Sequence, residues 1–286
     1  MRKIGGLVAC LFFMLFFMLF FIFNSYAVVR VPVASGTSAY DNSKVLIDYS
    51  NLSQGYFMLR YNGSNGKVKL QVTKNTTYTY DVKERGNFEV FPLTEGNGGY
   101  TLKVYENVSG NEYAQVASQT INVSLENEYL PFLYPSQYVN FSEGNAAIAL
   151  SNSLYAGNIL GTVTNVYNYV VDNLSYDNVK ANSVQSGYLP NIDSTLATRN
   201  GICFDYAALM SAMLRAQDIP TKLVVGYQGS VYHAWISVYS AETGWIDNVI
   251  SFDGQNWTLM DPTYASTGGR TYGGGSYGVY TAKYMY

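Results

Sequence analysis

Three side chains that can act together as a thiol nucleophile, its base and its orienter follow one another along the chain: Cys203, His233 and Asp261. A thiolate attacks a carbonyl carbon, an imidazole takes and returns the proton, and a carboxylate fixes the imidazole tautomer. His233 is the only histidine, and the one other cysteine, Cys10, lies in an N-terminal apolar segment. No rival cysteine–histidine pair exists once that segment is removed.

The elements that must position these side chains can be predicted from the pattern around them. Cys203 falls at or near the N-terminus of a predicted helix, where unpaired backbone N–H groups stabilise an anion, so we expect the thiol pKa to fall. The same N–H groups can hold an oxyanion, and Gly201 allows close approach. His233 lies on a predicted strand after a tight turn. Asp261 ends another strand, within reach of the far imidazole nitrogen.

Each of these residues also has a simpler interpretation. A free cysteine is often a small buried hydrophobe, a single histidine is commonly structural, and Asp-Pro is by itself a turn signal. A metal site is disfavoured, because one cysteine and one histidine do not complete a zinc shell of about four ligands. We therefore expect neither a metal nor another cofactor.

The composition favours an exported protein over a nucleic-acid-binding protein. Only 13% of the 286 residues are charged, the formal net charge is −3, and the chain contains 28 tyrosines. Because the sequence has no basic cluster, it lacks the usual electrostatic basis for binding a phosphate backbone.

The N-terminus has the pattern of an export signal. Arg2 and Lys3 precede an uninterrupted apolar run, Ile4–Phe23, and small residues suited to signal peptidase follow at 25–27. We predict cleavage after Ala27, which makes residues 1–27 a signal peptide and leaves the mature chain without a disulfide partner for its remaining cysteine. The apolar run is long enough to cross a bilayer, so an uncleaved membrane anchor is the alternative. Either outcome places the rest of the chain outside the cytoplasm, secreted or on the cell surface.

Residues 44–124 are predicted to form an Ig-like β-sandwich domain, preceded by a linker at 28–43. Apolar and polar residues alternate there, so that Val68, Leu70 and Val72 should share a buried face. About seven short strands are separated by turn signals, and no helix is expected between them. The scattered carboxylates fit solvated strand faces better than a calcium site.

After a second linker, at 125–142, the apolar pattern changes to a helical period. Residues 143–265 are predicted to form an α+β catalytic domain, with helices first and an antiparallel sheet after them. One helix is expected from Ile159 to Leu174 and another from about Gly201 to Leu214. A surface loop, 178–194, should separate them.

Three predicted strands follow the second helix, at 221–227, 232–239 and 257–261. A hairpin signal, Gln228-Gly229-Ser230, joins the first two. The tail at 266–286 is rich in Gly and Tyr, and we expect it to end in an edge strand or to be partly disordered. A tail lying beside the cysteine would suggest autoinhibition.

The residues that flank the three side chains resemble one family. Arg199–Ala207, His233-Ala234-Trp235 and Asp261-Pro262-Thr263 are similar to the three motifs of the transglutaminase-like superfamily of cysteine enzymes, in the same order. The resemblance covers about residues 145–265. It implies a papain-like α+β core in which Cys203 is the nucleophile, His233 the general base and then acid, and Asp261 the orienter.

Further positions match the family pattern or depart from it. Asp205 matches a motif position and is interpreted as a helix-start cap or local hydrogen-bond acceptor, and Trp235 as packing or a pocket wall. Tyr176 resembles part of the helix that precedes the nucleophile segment in bacterial members. The segment at 242–255 is added relative to compact members and could form an extra hairpin lining the cleft. Its Asp253 is a rival orienter, but it lacks the Pro-Thr context of Asp261.

The resemblance implies an exported thiol enzyme that acts on amide bonds of proteins or peptides through a thioester acyl-enzyme. Hydrolysis, by a protease or deamidase, is favoured over cross-linking. The triad does not select the second nucleophile, however, so transglutaminase cross-linking of glutamine to amines stays open. A non-enzymatic surface module for binding or adhesion is the other alternative. The expected partner is a protein or peptide substrate, with no nucleic acid and with a membrane tether through residues 4–23 if they are retained.

Overall fold

The computed structural model describes residues 29–252, 257–259 and 280–286. No helix among these residues is long and apolar enough to span a bilayer. The predicted signal peptide or anchor at 1–27, with Cys10, lies outside the described residues, as do Asp253 and Asp261. The expectations for them stay predictions.

The N-terminal half of the structure consists of antiparallel strands in two four-stranded sheets. The strands are β1 (Ala39–Asp41), β2 (Val45–Asp48), β3 (Tyr56–Tyr61), β4 (Val68–Thr73), β5 (Thr77–Val82), β6 (Phe88–Pro92), β7 (Gly98–Ser109) and β8 (Glu112–Val123). One sheet has the order β1-β2-β3-β6 and the other β5-β4-β7-β8. Side chains alternate between the core and solvent, and Val68, Leu70 and Val72 are buried as predicted. A β domain is therefore present, while its Ig-like topology stays a prediction.

Two details of this half differ from the expectation. β1 lies within the segment expected to be a linker, and a 3-10 turn at Leu52–Gln54 lies between strands where no helix is expected. The turn ends at Gly55, which has a left-handed φ of 84°. A Cβ on Gly55 would lie 2.8 Å from the backbone nitrogen of Pro131. Glycine therefore permits both the turn and the close approach of a later segment.

The second half is α+β, as predicted, with helices first and an antiparallel sheet after them. The helices are α1 (Ala146–Leu154), α2 (Ile159–Asn173), α3 (Asn178–Ser183), α4 (Ile192–Thr198) and α5 (Cys203–Arg215). The strands are β9 (Ser175–Tyr176), β10 (Asn200–Gly201), β11 (Thr221–Gln228), β12 (Val231–Ser240), β13 (Gly244–Phe252), β14 (Trp257–Leu259) and β15 (Tyr280–Met285). The main sheet has the order β14-β13-β12-β11-β15, and β9 pairs in parallel with β10.

Helix α5 lies at the centre of this half, against β11 and β12. Every residue from Asp205 to Arg215 is buried. A helix with no exposed face has to be enclosed on all sides, and α1, α2 and α4 pack against it opposite the sheet strands. The N-terminus of α5 is thereby fixed in position by most of the domain.

The predicted helices at 159–174 and after Gly201 are confirmed as α2 and α5, but the predicted loop at 178–194 is wrong. That segment contains α3 and the start of α4. Asp177 caps α3 by accepting from the Lys180 backbone N–H at 2.8 Å, and Asn191 caps α4 by accepting from Ser194 at 2.8 Å. These caps satisfy backbone donors that a helix of only one or two turns otherwise leaves unpaired.

The added segment and the tail both contribute strands to the main sheet. β13, from the added segment at 242–255, lies between β12 and β14, so the segment forms hairpins with both neighbours. β15 pairs with β11 at the sheet edge, which confirms the edge strand predicted for the tail. The five-stranded sheet thus begins and ends with residues near the chain's C-terminus.

Aromatic side chains join the β domain to the C-terminal strand. The ring of Tyr286 packs at 5.6 Å from Tyr78, 5.9 Å from Tyr80 and 4.6 Å from Tyr138. Tyr138 comes from the segment predicted to be a linker at 125–142. The core of the molecule therefore continues from the β domain into the α+β half.

Candidate active site

The helix that carries Cys203 begins at that residue. Ile202 is its N-cap, with an extended backbone of φ −99° and ψ 174°. The buried Asp205 carboxylate accepts a hydrogen bond from the Ile202 backbone N–H at 2.9 Å, and so satisfies a donor at the helix start. The interpretation of Asp205 as a helix-start cap is confirmed.

Two side chains from the segment before the helix also donate to Asp205. Lys180 Nζ lies 2.7 Å from one carboxylate oxygen, and the Tyr188 hydroxyl hydrogen-bonds the other. A carboxylate without exposed surface is costly unless it is paired and hydrogen-bonded. Helix α3, which carries Lys180, therefore supplies the charge that allows Asp205 to be buried beside Cys203.

The Cys203 sulfur lies at the junction of α5 and β12. It lies beside the backbone N–H groups of Ala234 and Phe204 and the Tyr176 hydroxyl, which all lower its pKa. Burial has the larger effect and raises the pKa of the Cys203 thiol, and the Asp205 charge adds to this rise. The expected fall in this pKa is therefore wrong, because desolvation of the sulfur outweighs the helix N-terminus.

Tyr176 reaches the sulfur from the short parallel pair of β9 and β10. Ser175 N donates to Arg199 O at 2.8 Å, and Asp177 N donates to Gly201 O at 2.9 Å. Burial raises the pKa of Tyr176, so its hydroxyl keeps its proton at neutral pH. The expectation that Tyr176 belongs to a helix is wrong, because Tyr176 lies on β9. Its position beside the sulfur depends on pairing between distant segments and could not be predicted from neighbouring residues.

His233 lies on β12, directly opposite Gly226 of β11, and only 6% of its surface is exposed. Helix α5, which begins at Cys203, packs against β12, so the strand that carries His233 lies against this helix. The strand position predicted for His233 is confirmed. Its role as a base stays a proposal.

Trp235 and Tyr280 lie on the same side of β12 as the imidazole. Their ring centroids lie 6.2 Å and 6.4 Å from that of His233, and 5.1 Å from each other. Trp235 is buried, so its interpretation as a packing residue is confirmed. The position of Tyr280 could not be predicted, since a tyrosine in a tail of low complexity gives no signal of its partner.

The third predicted site residue, Asp261, lies outside the described residues and is assigned by its motif alone. β14, the strand before it, pairs with β13, which in turn pairs with the strand of His233. Within the described part of the chain, no three His, Cys, Asp or Glu side chains converge in a way that could hold a metal ion.

Comparison with known proteins gives one family and several relatives. The model of the transglutaminase-like superfamily matches residues 149–262. Over 86 residues the chain is 33% identical to a protein-glutamine gamma-glutamyltransferase of Pseudomonas aeruginosa, a match that covers 25% of this chain and 11% of the relative. Over 136 residues it is 30% identical to a UPF0252 protein of Methanocaldococcus jannaschii, covering 42% of this chain and 39% of the relative.

Among solved structures, the chain is similar to the periplasmic domain of TgpA from Pseudomonas aeruginosa. The identity is 17% and the TM-score 0.34, with 82% of this chain and 78% of that chain covered. The two sequence relatives are matched over only 11% and 39% of their lengths. The family match is the more informative result, because residues 149–262 run from α1 through β14 and include Cys203, His233 and Asp261.

Proposed function

Because residues 149–262 belong to the transglutaminase-like superfamily, we propose that this chain is an exported thiol enzyme that acts on amide bonds of proteins or peptides. Cys203 is the nucleophile, His233 the general base and then the general acid, and Asp261 the orienter of the imidazole. The observation that carries the proposal is the packing of α5, which begins at Cys203, against β12, the strand of His233.

Acylation begins with removal of the thiol proton. Since burial raises the pKa of Cys203, the thiol is protonated at neutral pH and a base has to take its proton during attack. His233 accepts that proton while the sulfur bonds to the carbonyl carbon and the carbonyl oxygen becomes an oxyanion. Backbone N–H groups at the start of α5 stabilise this oxyanion. The imidazolium then protonates the leaving nitrogen, which departs as an amine, or as ammonia from a glutamine side chain, and a thioester remains.

Deacylation repeats these steps with a second nucleophile. Water or an amine gives a proton to His233 as it attacks the thioester carbon, and the sulfur leaves as a thiolate that recovers the proton from the imidazolium. Water yields a carboxylic acid, whereas an amine yields a new amide. We propose hydrolysis as the main reaction. Cross-linking is the second candidate, favoured by the similarity to a protein-glutamine gamma-glutamyltransferase.

Location outside the cytoplasm is part of the same proposal. The apolar segment at 4–23 follows Arg2 and Lys3, and this order of charges is typical of an export signal or of an anchor with its N-terminus in the cytoplasm. A cleaved chain would be secreted, and an uncleaved chain would stay at the cell surface.

Incubation with a glutamine-containing peptide, with and without a primary amine, tests the proposed reaction. Mass spectrometry and ammonia release distinguish deamidation, peptide cleavage and amine incorporation. We expect wild-type protein to form product and Cys203→Ala to form at least about 1,000-fold less, since the nucleophile is lost. Amine incorporation would identify cross-linking as the main reaction. Equal amounts of product from wild type and Cys203→Ala would contradict the proposed enzymatic function and favour a surface binding module.

A further inference from the structure

The C-terminal strand is built into the catalytic sheet. β15 pairs with β11 from Tyr280, opposite Gln228, to Met285, opposite Val224. Beyond the strand, Tyr286 exchanges two backbone hydrogen bonds with Leu223, at 2.8 Å and 2.9 Å. The strand is therefore held along its whole length.

A β-bulge in this strand directs its tyrosines to opposite faces of the sheet. Val225 pairs with Tyr284 and Gly226 pairs with Ala282, so Lys283 is the extra residue. One extra residue reverses the alternation of side chains on the two sides of a bulge. Tyr284 accordingly packs on Tyr78 of the β domain at 5.2 Å, whereas Tyr280 packs on the other face.

Gly226 makes room for the bulge at the point where β11 passes His233. A Cβ on Gly226 would overlap the carbonyl oxygen of Thr281 and would lie 3.0 Å from the Ala282 Cα. On its other side, Gly226 pairs directly with His233. The bulge, the glycine and the histidine thus lie side by side on three adjacent strands.

Tyr280 lies against the imidazole as a result. The centroid of the Tyr280 ring is 6.4 Å from that of His233, and the two ring planes meet at 51°. The Tyr280 centroid is 5.1 Å from that of Trp235, and these two rings pack edge-on, at 74°. Trp235 itself lies nearly parallel to the imidazole, at 24°. Aromatic rings at these separations attract one another and restrict rotation. The imidazole is therefore flanked by two rings, one of them supplied by the C-terminal strand.

We propose that Tyr280 is a positioning residue of the active site, whose ring, together with Trp235, fixes the orientation of the His233 imidazole. The inference rests on the proposed function, in which His233 is the base. A base that is free to rotate is misplaced by an ångström or more, and such a displacement can cost about 100-fold in rate. Strand β15 is thus part of the proposed catalytic apparatus.

The contact can be tested directly because His233 is the only histidine of the chain. In tag-free protein labelled with ¹³C-histidine, the imidazole gives a single assignable set of NMR signals. We expect Tyr280→Ala to shift these signals through loss of the neighbouring ring, and Tyr280→Phe to leave them near their wild-type positions. Tyr284→Ala is the matched control, since it removes a tyrosine from the same strand but on the opposite face. Equal shifts in Tyr280→Ala and Tyr284→Ala would overturn the inference.

The rate of Cys203 alkylation by iodoacetamide at pH 7 tests the functional consequence without a known substrate. We expect His233→Ala to slow alkylation by about 100-fold, because the general base is lost. Tyr280→Ala should slow it by about tenfold through misorientation, while Tyr280→Phe and Tyr284→Ala should react within about twofold of wild type.

The two proposals fail in different ways. Equal rates in wild type and His233→Ala would overturn the proposed function. If His233→Ala is alkylated slowly but Tyr280→Ala is alkylated at the wild-type rate, only the proposed role of Tyr280 is overturned. If the NMR spectrum shows that Tyr280→Ala does not fold, Tyr280→Leu replaces it. Leucine keeps apolar bulk in the strand but lacks a flat ring, and a wild-type rate in that variant would equally overturn the inference.

Discussion

The reactivity of Cys203 is set by two opposing influences on one sulfur atom. Burial raises its pKa, whereas the N–H groups of Ala234 and Phe204 and the hydroxyl of Tyr176 lower it. A raised pKa keeps the thiol neutral in the resting protein and makes the reaction depend on His233 as a base. Each donor that is removed should therefore make the thiolate harder to form.

Tyr176→Phe isolates one of these donors. The Tyr176 hydroxyl lowers the pKa of Cys203, so its loss should raise that pKa. The pH of half-maximal iodoacetamide alkylation should then move upward. At pH 8 the variant should react about tenfold more slowly, which corresponds to the lower end of the stabilisation that a hydrogen bond gives a charged group. Stopped-flow alkylation between pH 6 and 11 measures both quantities.

Tyr129→Phe is the matched control for this experiment. Tyr129 loses the same hydroxyl, but its ring stacks on Tyr239, near the other end of β12, at 4.8 Å. We expect its alkylation profile to superimpose on that of wild type. A Tyr176→Phe profile that also superimposes would show that the hydroxyl does not stabilise the thiolate.

Candidate site residues can be named from the sequence, but their electrostatic environment cannot be predicted from it. Cys203 and His233 stand in short contiguous motifs, so the sequence alone singles them out. The direction of the Cys203 pKa shift depends instead on how deeply the sulfur is buried between α5 and β12. The contact of Tyr176 with the sulfur depends on the pairing of β9 with β10. Neither is encoded in neighbouring residues.

At the scale of elements, Gly226 determines how closely β15 can approach β11. Gly226→Ala places a methyl group against the Thr281 carbonyl oxygen, so the C-terminal strand has to move. We expect the free energy of unfolding to fall by about 1–3 kcal/mol, the usual cost of overpacking. The His233 NMR signals should shift in the same direction as in Tyr280→Ala, because the displaced strand carries Tyr280 away from the imidazole. Urea unfolding gives the first quantity.

Gly99→Ala is the corresponding control for a glycine within a strand. Gly99 lies in β7, and open space surrounds the position of its Cβ. A change within about 0.5 kcal/mol is expected for such a substitution. If the free energy of unfolding falls by a similar amount in the two variants, the effect at Gly226 is one that replacing any glycine in a strand would have. It would then not depend on the close approach of β15.

Elements with a strong internal period were predictable, and those that depend on distant contacts were not. Alternation identified strands such as β4, and a sustained apolar stripe identified α2. Helices α3 and α4 were missed because each has only six or seven residues and depends on its cap. The edge position of β15 was anticipated, but its bulge at Lys283 was not, since the bulge follows from the fit to Gly226.

At the scale of the whole molecule, the two halves are joined by segments that the sequence assigns to a linker and a tail. Arg215 is buried, and its guanidinium donates to the carbonyl oxygens of Tyr134 at 2.8 Å, Thr221 at 2.9 Å and Tyr286 at 2.7 Å. Each acceptor comes from a different segment. The composition of the linker and the tail gives no indication of such contacts, because Tyr134 and Tyr286 lie far from Arg215 in the chain.

The buried tyrosines at the junction where the two halves of the molecule meet make its stability sensitive to alkaline pH. Burial raises the pKa of Tyr138 from 10.0 to about 12 and raises those of Tyr80 and Tyr286 as well. Between pH 10 and 12 the unfolded chain loses these protons while the folded chain keeps them. The unfolded state then binds fewer protons, so the free energy of unfolding falls as the pH rises. Each such tyrosine contributes a slope of about 1.4 kcal/mol per pH unit.

Tyr138→Phe should therefore make the loss of stability above pH 10 less steep by about 1.4 kcal/mol per pH unit, because phenylalanine has no proton to lose in the unfolded state. Urea unfolding at several pH values from 8 to 12 measures the slope. Tyr155→Phe, at a position with 39% exposure, is the matched control and should leave the slope unaltered. Parallel slopes for wild type and Tyr138→Phe would show that the junction is already open to water before the molecule unfolds.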